Sequence, residues 1–400
     1  MQDTTRRSFI RGVGLGAGAA LLGVRHAAQA QEPRIQGFEK AVTDKEASAL
    51  WKPISDRKVR VGIAGFGVCQ FGAQFGFQSH PNVTVAAVTD LAPERCAELA
   101  RQCRCEKTYS SCEEMIKDDT LEAVFIATDA PSHARLAIAA LRAGKHVASA
   151  VPAVFGSLEE ADQLMAAVRE TGRKYMMFET SYFHDDLHAM RELYRGGHLG
   201  KVIYSEGEYY HYCPTPIDSY QGWRVGLPPQ WYPTHSNAYY VGVTGGSFTE
   251  VSCMAVPSIV DHCRPANNPY KNAFGTEVAL FRTSEGGMSR MAVSWDTPGD
   301  SGEKGRIRTQ KGTFYLRFET EGGGSAPPAA PRPPLPPGVE AGGHGGSHGN
   351  LMAEFVEAIL ADRQPLVDAA QALNMTVAGI VAHRSAEHGG ELLKIPQYAL

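Results

Sequence analysis

The stretch Val59-Arg60-Val61-Gly62-Ile63-Ala64-Gly65-Phe66-Gly67 decides the fold that this sequence predicts. Its first six residues form a mostly apolar run with three β-branched side chains, which is typical of a buried strand. Gly65 and Gly67 then fill the first two positions of G-x-G-x-x-G, where glycine allows a tight turn and a close approach of backbone amides to a pyrophosphate. The third position is Gln70, although Gly72 is near, so we expect the next helix to lie slightly further from the strand than usual.

Asp90 strengthens the prediction of a dinucleotide site. It follows the apolar run Val83–Thr89 and lies 25 residues after Gly65. A carboxylate there would accept hydrogen bonds from the ribose hydroxyls of adenosine and would repel a 2′-phosphate. We therefore expect NAD as the cofactor, with NADP less favoured. The alternative is that Asp90 only caps a helix beginning near Pro93.

Strands and helices alternate through the first half of the chain, which predicts a doubly wound parallel sheet of the Rossmann type over residues 58–181. After the first two strands we predict strands at Leu121–Thr128 and Lys145–Ser149. The predicted helices are Cys69–Gln78, Pro93–Arg101, Ser110–Lys117, His133–Ala143 and Ser157–Thr171, the last with a capped start.

The second half, residues 182–400, predicts an α+β domain with a mainly antiparallel sheet, because its strands alternate apolar and polar residues. A chain of 400 residues has room for two such domains. Residues 322–349 are rich in glycine, proline and histidine and predict a surface loop with little regular structure. Two helices follow within residues 351–387. The predicted strands are Val202–His211, Phe248–Met254, Asn272–Thr283, Met288–Trp295, Arg306–Gln310 and Thr313–Phe318.

The N-terminus predicts export. Arg6-Arg7 precedes an apolar run from Gly12 to Val24, and Ala28-Gln29-Ala30 follows as a cleavage site. We interpret residues 1–30 as a twin-arginine signal peptide that is read by the Tat translocase, and residues 31–57 as an extended arm. The run is too short for stable membrane insertion, although a retained anchor is the alternative. We expect a periplasmic or secreted protein.

Composition restricts the partners. A net charge of −4 gives no electrostatic reason to expect nucleic acid, so a small carbohydrate substrate fits better. The eight cysteines include no C-x2-C pair, and we expect mostly buried thiols. His344 and His348 could bind a metal, but the flexibility of the flanking glycines argues against it. We assign no metal.

Two further motifs resemble those of the Gfo/Idh/MocA oxidoreductase family. Ala127-Thr128-Asp129-Ala130-Pro131-Ser132-His133 is similar to its A-T-P-x-x-x-H element, and Ala143-Gly144-Lys145-His146-Val147 to the start of its A-G-K-H-V-x-x-E-K-P element. The resemblance covers about residues 58–320 and 350–395. It implies a Rossmann domain followed by a domain with an open, mainly antiparallel sheet that commonly serves oligomerisation, so we expect a homo-oligomer.

The chain departs from this family where the family places its catalytic groups. The E-K-P element falls on Ala150-Val151-Pro152, so valine replaces the acid/base lysine. The D-x-G-x-H element falls on Trp231-Tyr232-Pro233-Thr234-His235, which keeps only the histidine. By this resemblance His235 is the catalytic base, and Tyr232 could relay a proton or position a group. The alternative is a structural turn.

The resemblance also implies which residues line the site. Glu179, Tyr182 and His184 would face the substrate. Trp223-Arg224 would wall the nicotinamide region, although Arg224 could instead be an ordinary surface residue, and His133 could simply start a helix. The residues implied to line the cofactor cleft are Gly65, Phe66, Gly67, Asp90, Thr128, His133, Pro152, Trp223 and Arg224.

Three functions remain open at this point. The first is an exported NAD-dependent enzyme that oxidises a sugar or polyol and recycles a retained cofactor. The second is a redox-neutral glycoside hydrolase or lyase, because A-V-P and Y-P-T-H are similar to the NAD-dependent α-N-acetylgalactosaminidase-type glycosidases. The third is a binding protein without catalysis.

Overall fold

A parallel sheet of six strands begins at Val59, as the glycine motif predicts. The computed structural model describes residues 47–315, 317–320 and 331–400. The first part contains β1 Val59–Ala64, α1 Phe71–Gln74, β2 Val83–Thr89, α2 Pro93–Cys103, β3 Thr108–Tyr109, α3 Cys112–Met115, β4 Ala123–Ile126, α4 His133–Arg142, β5 His146–Ser149, α5 Leu158–Thr171 and β6 Tyr175–Met177. The strand order β3-β2-β1-β4-β5-β6, parallel at every pairing, is that of a Rossmann sheet.

Burial explains why these strands could be predicted. Every residue of β4 and β5 is buried, as are all residues of β1 except Arg60. Parallel strands covered on both faces have such continuous apolar runs. The predicted start of α5 is also confirmed, since the Ser157 hydroxyl accepts a hydrogen bond from the amide of Glu160.

The helix predicted at Cys69–Gln78 is much shorter. Gln70 and Gly76 both adopt left-handed backbone conformations, with φ of 53° and 81°, and they leave only one helical turn between them. The helix predicted at Ser110–Lys117 is likewise reduced to α3.

The second part of the chain forms a sheet of eight strands. It contains α6 Asp185–Arg195, β7 Val202–Tyr210, α7 Thr234–Thr244, β8 Phe248–Pro257, β9 Phe274–Thr283, β10 Met288–Ser294, β11 Gly302–Thr309, β12 Thr313–Tyr315, β13 Arg317–Glu319, α8 His348–Leu360, α9 Ala369–Glu387 and β14 Leu393–Lys394. The order is β13-β12-β11-β7-β10-β9-β8-β14. Only β7 and β10 pair in parallel, so the predicted mainly antiparallel sheet is confirmed.

One predicted strand is wrong. Thr313–Phe318 is not a single strand, because β12 and β13 pair with each other in antiparallel fashion. No glycine or proline marks the reversal, so the alternating pattern runs through both strands without a signal.

Helix α7 brings the second sheet to the candidate site. It packs against β7, β11, α6 and α9, and all of its residues except Thr244 are buried. Its second residue is His235. The predicted catalytic histidine therefore sits at the start of a helix enclosed on every side.

The segment predicted as a surface loop at residues 322–349 does have little regular structure over residues 331–347, but much of its described part is buried. His344, Ser347 and His348 are buried, and α8 already begins at His348. The His348 ring stacks on Phe75 with 4.2 Å between centroids. The segment has too few apolar residues for a core of its own, and it is buried by packing against side chains from elsewhere in the chain.

The signal peptide and most of the predicted arm lie outside the described residues. Within the described residues, no helix is long and apolar enough to cross a membrane. The proposed domain division at residue 181 falls between β6 and α6 and stays a prediction.

Candidate cofactor and catalytic site

A cleft of about 550 Å³ lies at the carboxyl ends of β1, β2 and β4. Parallel α/β sheets bind ligands at this edge, and the volume is that of a small-molecule site. The cleft is lined by all but one of the residues implied for the cofactor. Pro152 is the exception, while its neighbours Ala150 and Val151 do line the cleft.

The glycine turn is built for close backbone approach. Gly65 has φ of 96°, and a Cβ there would collide with the carbonyl oxygen of Ala127. Gly67 has φ of 55° and nothing within 4 Å of its Cβ position, so this part of the turn stays open. A Cβ on Gly72 would collide with the carbonyl oxygen of Gly65 and lie 3.0 Å from Leu99 Cδ1. The expectation of a wider gap at Gln70 is therefore wrong, because Gly72 gives the close contact instead.

Asp90 organises this turn. The amide of Phe66 donates to Asp90 Oδ2 at 2.8 Å, and the amide of Ala92 donates to Oδ1 at 2.9 Å. Helix α2 has Ala92 at its N-cap, with no side-chain cap. A carboxylate has about four acceptor positions, so two remain for ribose hydroxyls. The open turn, the carboxylate and the cleft volume together fit a dinucleotide such as NAD.

His133 links the two loops at the edge of the cleft. Its Nδ1 lies 2.9 Å from the carbonyl oxygen of Pro152, and its Nε2 lies 3.2 Å from that of Thr128. Burial lowers the pKa of His133, although both carbonyl groups oppose the shift. His133 also begins α4, so the helix-start interpretation and the position in the cleft both hold.

Trp223, Arg224 and Tyr232 form an aromatic and cationic wall of the cleft. The Arg224 guanidinium lies 4.2 Å from the Trp223 ring centre and 5.6 Å from that of Tyr232. The two rings stack with 6.3 Å between centroids. Arg224 is partly buried in this wall, so the interpretation as an ordinary surface residue is wrong.

A buried cluster lies beneath Tyr232. His235 Nδ1 is 2.7 Å from Glu179 Oε1 and 3.4 Å from Glu303 Oε1, and the three side chains are almost completely buried. The hydroxyl of Ser181 donates to Glu303 Oε2 at 2.7 Å, and that of Thr180 to Glu303 Oε1 at 3.3 Å. A ring nitrogen of His235 and one carboxylate oxygen from each glutamate lie within 4.8 Å of one another, a spacing that suits the ligands of a metal ion. A proton shared between His235 and the carboxylates also explains these short distances.

The two carboxylates control the charge of His235. Burial alone would lower the pKa of His235, but Glu179 and Glu303 outweigh it and raise that pKa to about 9. Burial likewise works to raise the pKa of Glu179, and His235 reverses this, so the carboxyl pKa ends below its usual value. The free site therefore holds an imidazolium between carboxylates at neutral pH, rather than the neutral imidazole of a ready base.

Tyr232 stands between this cluster and the cleft. His235 is only 3% exposed and does not line the cleft, whereas Tyr232 does. The His235 ring lies 5.6 Å from the Tyr232 ring and 4.6 Å from that of Tyr209, centre to centre. Burial raises the pKa of Tyr232 despite the opposing Arg224, so the residue is a neutral phenol. Its phenol is the group of this pair that a cleft ligand meets first.

The three residues implied to face the substrate lie in different places. Glu179 belongs to the cluster, and His184 reaches its outer side, with Nε2 3.1 Å from Glu303 Oε2. Tyr182 was wrongly placed: it is 1% exposed, does not line the cleft, and packs under the Arg191 guanidinium at 3.8 Å. A four-residue helical turn, Thr180–Phe183, alters the direction of successive side chains here, which the sequence alone does not show.

Trp231, at the position of the missing aspartate, packs away from the cluster. Its ring contacts Phe155 and Tyr270, with centroids 5.3 and 5.4 Å away. Sequence reasoning missed Glu303. Its signal is a carboxylate on a strand position that pairs with Tyr209 of β7, and finding it required the register between β11 and β7.

The fold agrees with that of known proteins that this chain is similar to. Residues 59–179 match Gfo/Idh/MocA, described as an oxidoreductase family with an NAD-binding Rossmann fold. A glycosyl hydrolase family 109 protein of Solibacter usitatus is 24% identical, with 100% of this chain and 98% of that protein aligned.

Two solved structures share the fold. Scyllo-inositol dehydrogenase from Lactobacillus casei, with bound NAD(H) and scyllo-inositol, has a TM-score of 0.65 at 16% identity, covering 84% of this chain and 99% of that one. Aldose-aldose oxidoreductase from Caulobacter crescentus, complexed with glycerol, has a TM-score of 0.66 at 19% identity, covering 84% and 100%. At these identities the likeness shows the fold alone.

Proposed function

Because residues 59–179 belong to the Gfo/Idh/MocA family of NAD-binding oxidoreductases, we propose that this protein is an NAD-dependent enzyme acting on a sugar, a sugar derivative or a polyol. Each catalytic cycle returns its bound cofactor to the starting state. The observation that carries the proposal is the buried cluster of Glu179, His235 and Glu303 beneath Tyr232, next to a cleft that fits a dinucleotide. Burying charged groups is costly, and their position next to the cleft supports a role in proton transfer.

The chain's own residues hold the cofactor. The open turn at Gly65 and Gly67 offers backbone amides to a pyrophosphate, and Asp90 offers two acceptor positions to the ribose. Its charge supports NAD over NADP as the cofactor. A bound nicotinamide supplies hydride transfer, and the protein must supply the accompanying proton transfers.

Proton handling falls to His235 and Tyr232. Val151 stands where the family has its lysine, and a buried valine can neither accept nor donate a proton. Protonated His235 can donate to a substrate oxygen, through or beside the Tyr232 phenol. Once it has lost that proton, His235 is the base for a substrate hydroxyl, so one cycle uses both states.

Redox-neutral cleavage of a glycoside is the second candidate. The similarity to a family 109 glycosyl hydrolase over the full length of both chains favours it. Oxidation of a sugar hydroxyl to a ketone makes the neighbouring C–H acidic, so that a base can remove its proton and the glycosidic oxygen can leave. Addition of water and return of the hydride complete the cycle, and the balance is glycoside plus water giving sugar plus alcohol.

Export is part of the same proposal. The paired arginines Arg6 and Arg7 support passage through the Tat translocase to the periplasm or beyond. Tat substrates are carried in folded form, so a cofactor bound beforehand could travel with the protein. A periplasmic enzyme without free nicotinamide needs a cofactor that is regenerated in place.

The test uses protein as purified, without added cofactor. A panel of free sugars, polyols and aryl glycosides is incubated while nicotinamide absorbance and aglycone release are followed together. Aglycone release without lasting NADH supports glycoside cleavage, and a product formed only with a second carbonyl substrate supports hydride transfer between sugars. Failure of every substrate to turn over, with NAD bound, would leave the binding protein as the better description.

A further inference from the structure

Strand β11 contributes a carboxylate that the catalytic motif of this chain lacks. Position 231, the place of the family aspartate, is tryptophan and packs among aromatic rings. Glu303 instead reaches His235 from β11. We infer that Glu303 is a positioning residue which, together with Glu179, orients His235 and keeps it protonated in the resting site. This inference rests on the proposed role of His235 in proton transfer.

The two carboxylates lie next to only one of the two imidazole nitrogens of His235. Both carboxylates converge on Nδ1, at 2.7 Å from Glu179 and 3.4 Å from Glu303. The side-chain hydrogen bonds that His235 forms with Glu179 and Thr180 both use Nδ1. A carboxylate that binds one ring nitrogen sets the ring orientation and leaves the other nitrogen for proton exchange. Nε2 is therefore the atom that exchanges a proton with the substrate side.

Glu303 is itself held firmly in place. It pairs across the sheet with Tyr209, whose ring lies 4.6 Å from His235. The hydroxyls of Ser181 and Thr180 donate to its two oxygens, and His184 Nε2 lies 3.1 Å from Oε2. These contacts hold the carboxylate so that its Oε1 lies on the His235 side.

Positive groups around His235 do not cancel this effect. Arg224 opposes protonation of His235. His211 and His344 are near as well, but burial lowers the pKa of His211 to about 4 and that of His344 well below its usual value. Both are therefore neutral near pH 7. His184 faces Glu303 rather than His235.

The size of the effect follows from the distances. A charge of opposite sign within about 4–6 Å shifts a pKa by about 1–3 units. Glu303 is the more distant of the two carboxylates and shares its charge with several donors, so we expect the lower end of that range. Replacing Glu303 by glutamine should lower the pKa of His235 by about one unit.

The experiment titrates His235 by NMR in full-length protein, as purified with its cofactor, using histidine labelled at Cε1. His235→Gln identifies the resonance. Glu303→Gln should shift the titration to lower pH by about one unit, and Glu303→Asp should recover part of the shift. Because oxidation of a substrate hydroxyl by bound NAD needs the neutral imidazole, kcat/KM in the wild type should rise as pH rises through the His235 pKa, and this acid limb should move to lower pH by the same amount in Glu303→Gln.

Glu277→Gln is the matched control. Glu277 is also a buried glutamate bound to a buried histidine, with its Oε1 2.6 Å from His383 Nδ1, and it does not line the cleft. It should lose stability as Glu303→Gln does but leave the His235 titration in place. An unchanged His235 titration in Glu303→Gln overturns the inference, as does an equal shift in Glu277→Gln. Absence of turnover in the wild type overturns the proposed function instead, because the titration does not depend on activity.

Discussion

Replacing Asp90 by asparagine separates its charge from its hydrogen bonds. In the structure Asp90 accepts from the amides of Phe66 and Ala92, and asparagine keeps one acceptor oxygen for Phe66. NAD should therefore still bind with modest loss. Two unit charges of like sign separated by about 4 Å repel each other by about 1 kcal/mol in water. With two phosphate charges the preference for NAD over NADP should fall by about 2 kcal/mol, or roughly 30-fold.

Asp90→Ala should behave differently. It leaves the Phe66 amide without its partner, which costs about 1–3 kcal/mol, so NAD itself should bind more weakly. The assay is fluorescence titration of cofactor-stripped protein with NAD and NADP. Asp129→Asn is the control, since Asp129 also lines the cleft but bonds Ser132. Equal affinities of the wild type for both cofactors, or an unchanged ratio in Asp90→Asn, would refute the reasoning.

Three other predictions concern cofactor retention, the glycine turn and assembly. Protein purified from cells that express the full-length chain should release NAD(H) on denaturation, and a supernatant without nicotinamide would contradict this. Gly72→Ala should reduce the bound cofactor severalfold because its Cβ collides with the Gly65 carbonyl. The control Gly172→Ala, with φ of 62° and open space, should only destabilise the fold by about 1–2 kcal/mol. Equal cofactor content in the two variants would argue against a role of Gly72 in shaping the cofactor turn. We also predict a homo-oligomer that forms through the outer face of the second sheet, where Met254 and Val256 are 65% and 57% exposed. Val256→Glu should shift size-exclusion elution towards the monomer. A wild type that is already monomeric would count against this prediction.

Four of the six strands of the first sheet were predicted from sequence because they are largely buried on both faces, whereas the short strands β3 and β6 were missed. The bounds of β1 and β2 were predicted without error, and the turn at Gly65 and the carboxylate of Asp90 follow from the same strand ends. Local chemistry also sufficed at Ser157, where a hydroxyl three residues before a glutamate predicts a helix start.

Sequence reasoning identified two of the three residues of the buried cluster. His235 and Glu179 are recognisable from their motifs, but Glu303 lies more than a hundred residues from Glu179, and only the pairing of β11 with β7 brings it to the site. Burial of His344, Ser347 and His348 within residues 331–349 was missed for a related reason. A segment rich in glycine and proline has no periodicity, and its core contacts, such as His348 on Phe75, are supplied by another part of the chain.

Side-chain direction was the third limit. Tyr182 was expected beside the substrate because it follows the last parallel strand, yet the short helical turn there directs its ring against Arg191. Gly72 is a different case. The motif has Gln70 where its third glycine is expected, but Gly72 allows the close packing of backbone that this glycine would allow.

Counting product molecules per bound nicotinamide tests the central claim most directly. Purified protein with a known content of bound NAD(H) is given an active substrate and no added cofactor, and product is measured to completion alongside His235→Ala. We predict many product molecules for each nicotinamide in the wild type, a cofactor unchanged at the end, and no turnover in His235→Ala despite retained NAD. One product per nicotinamide with matching accumulation of NADH, or wild-type turnover in His235→Ala, would contradict the account.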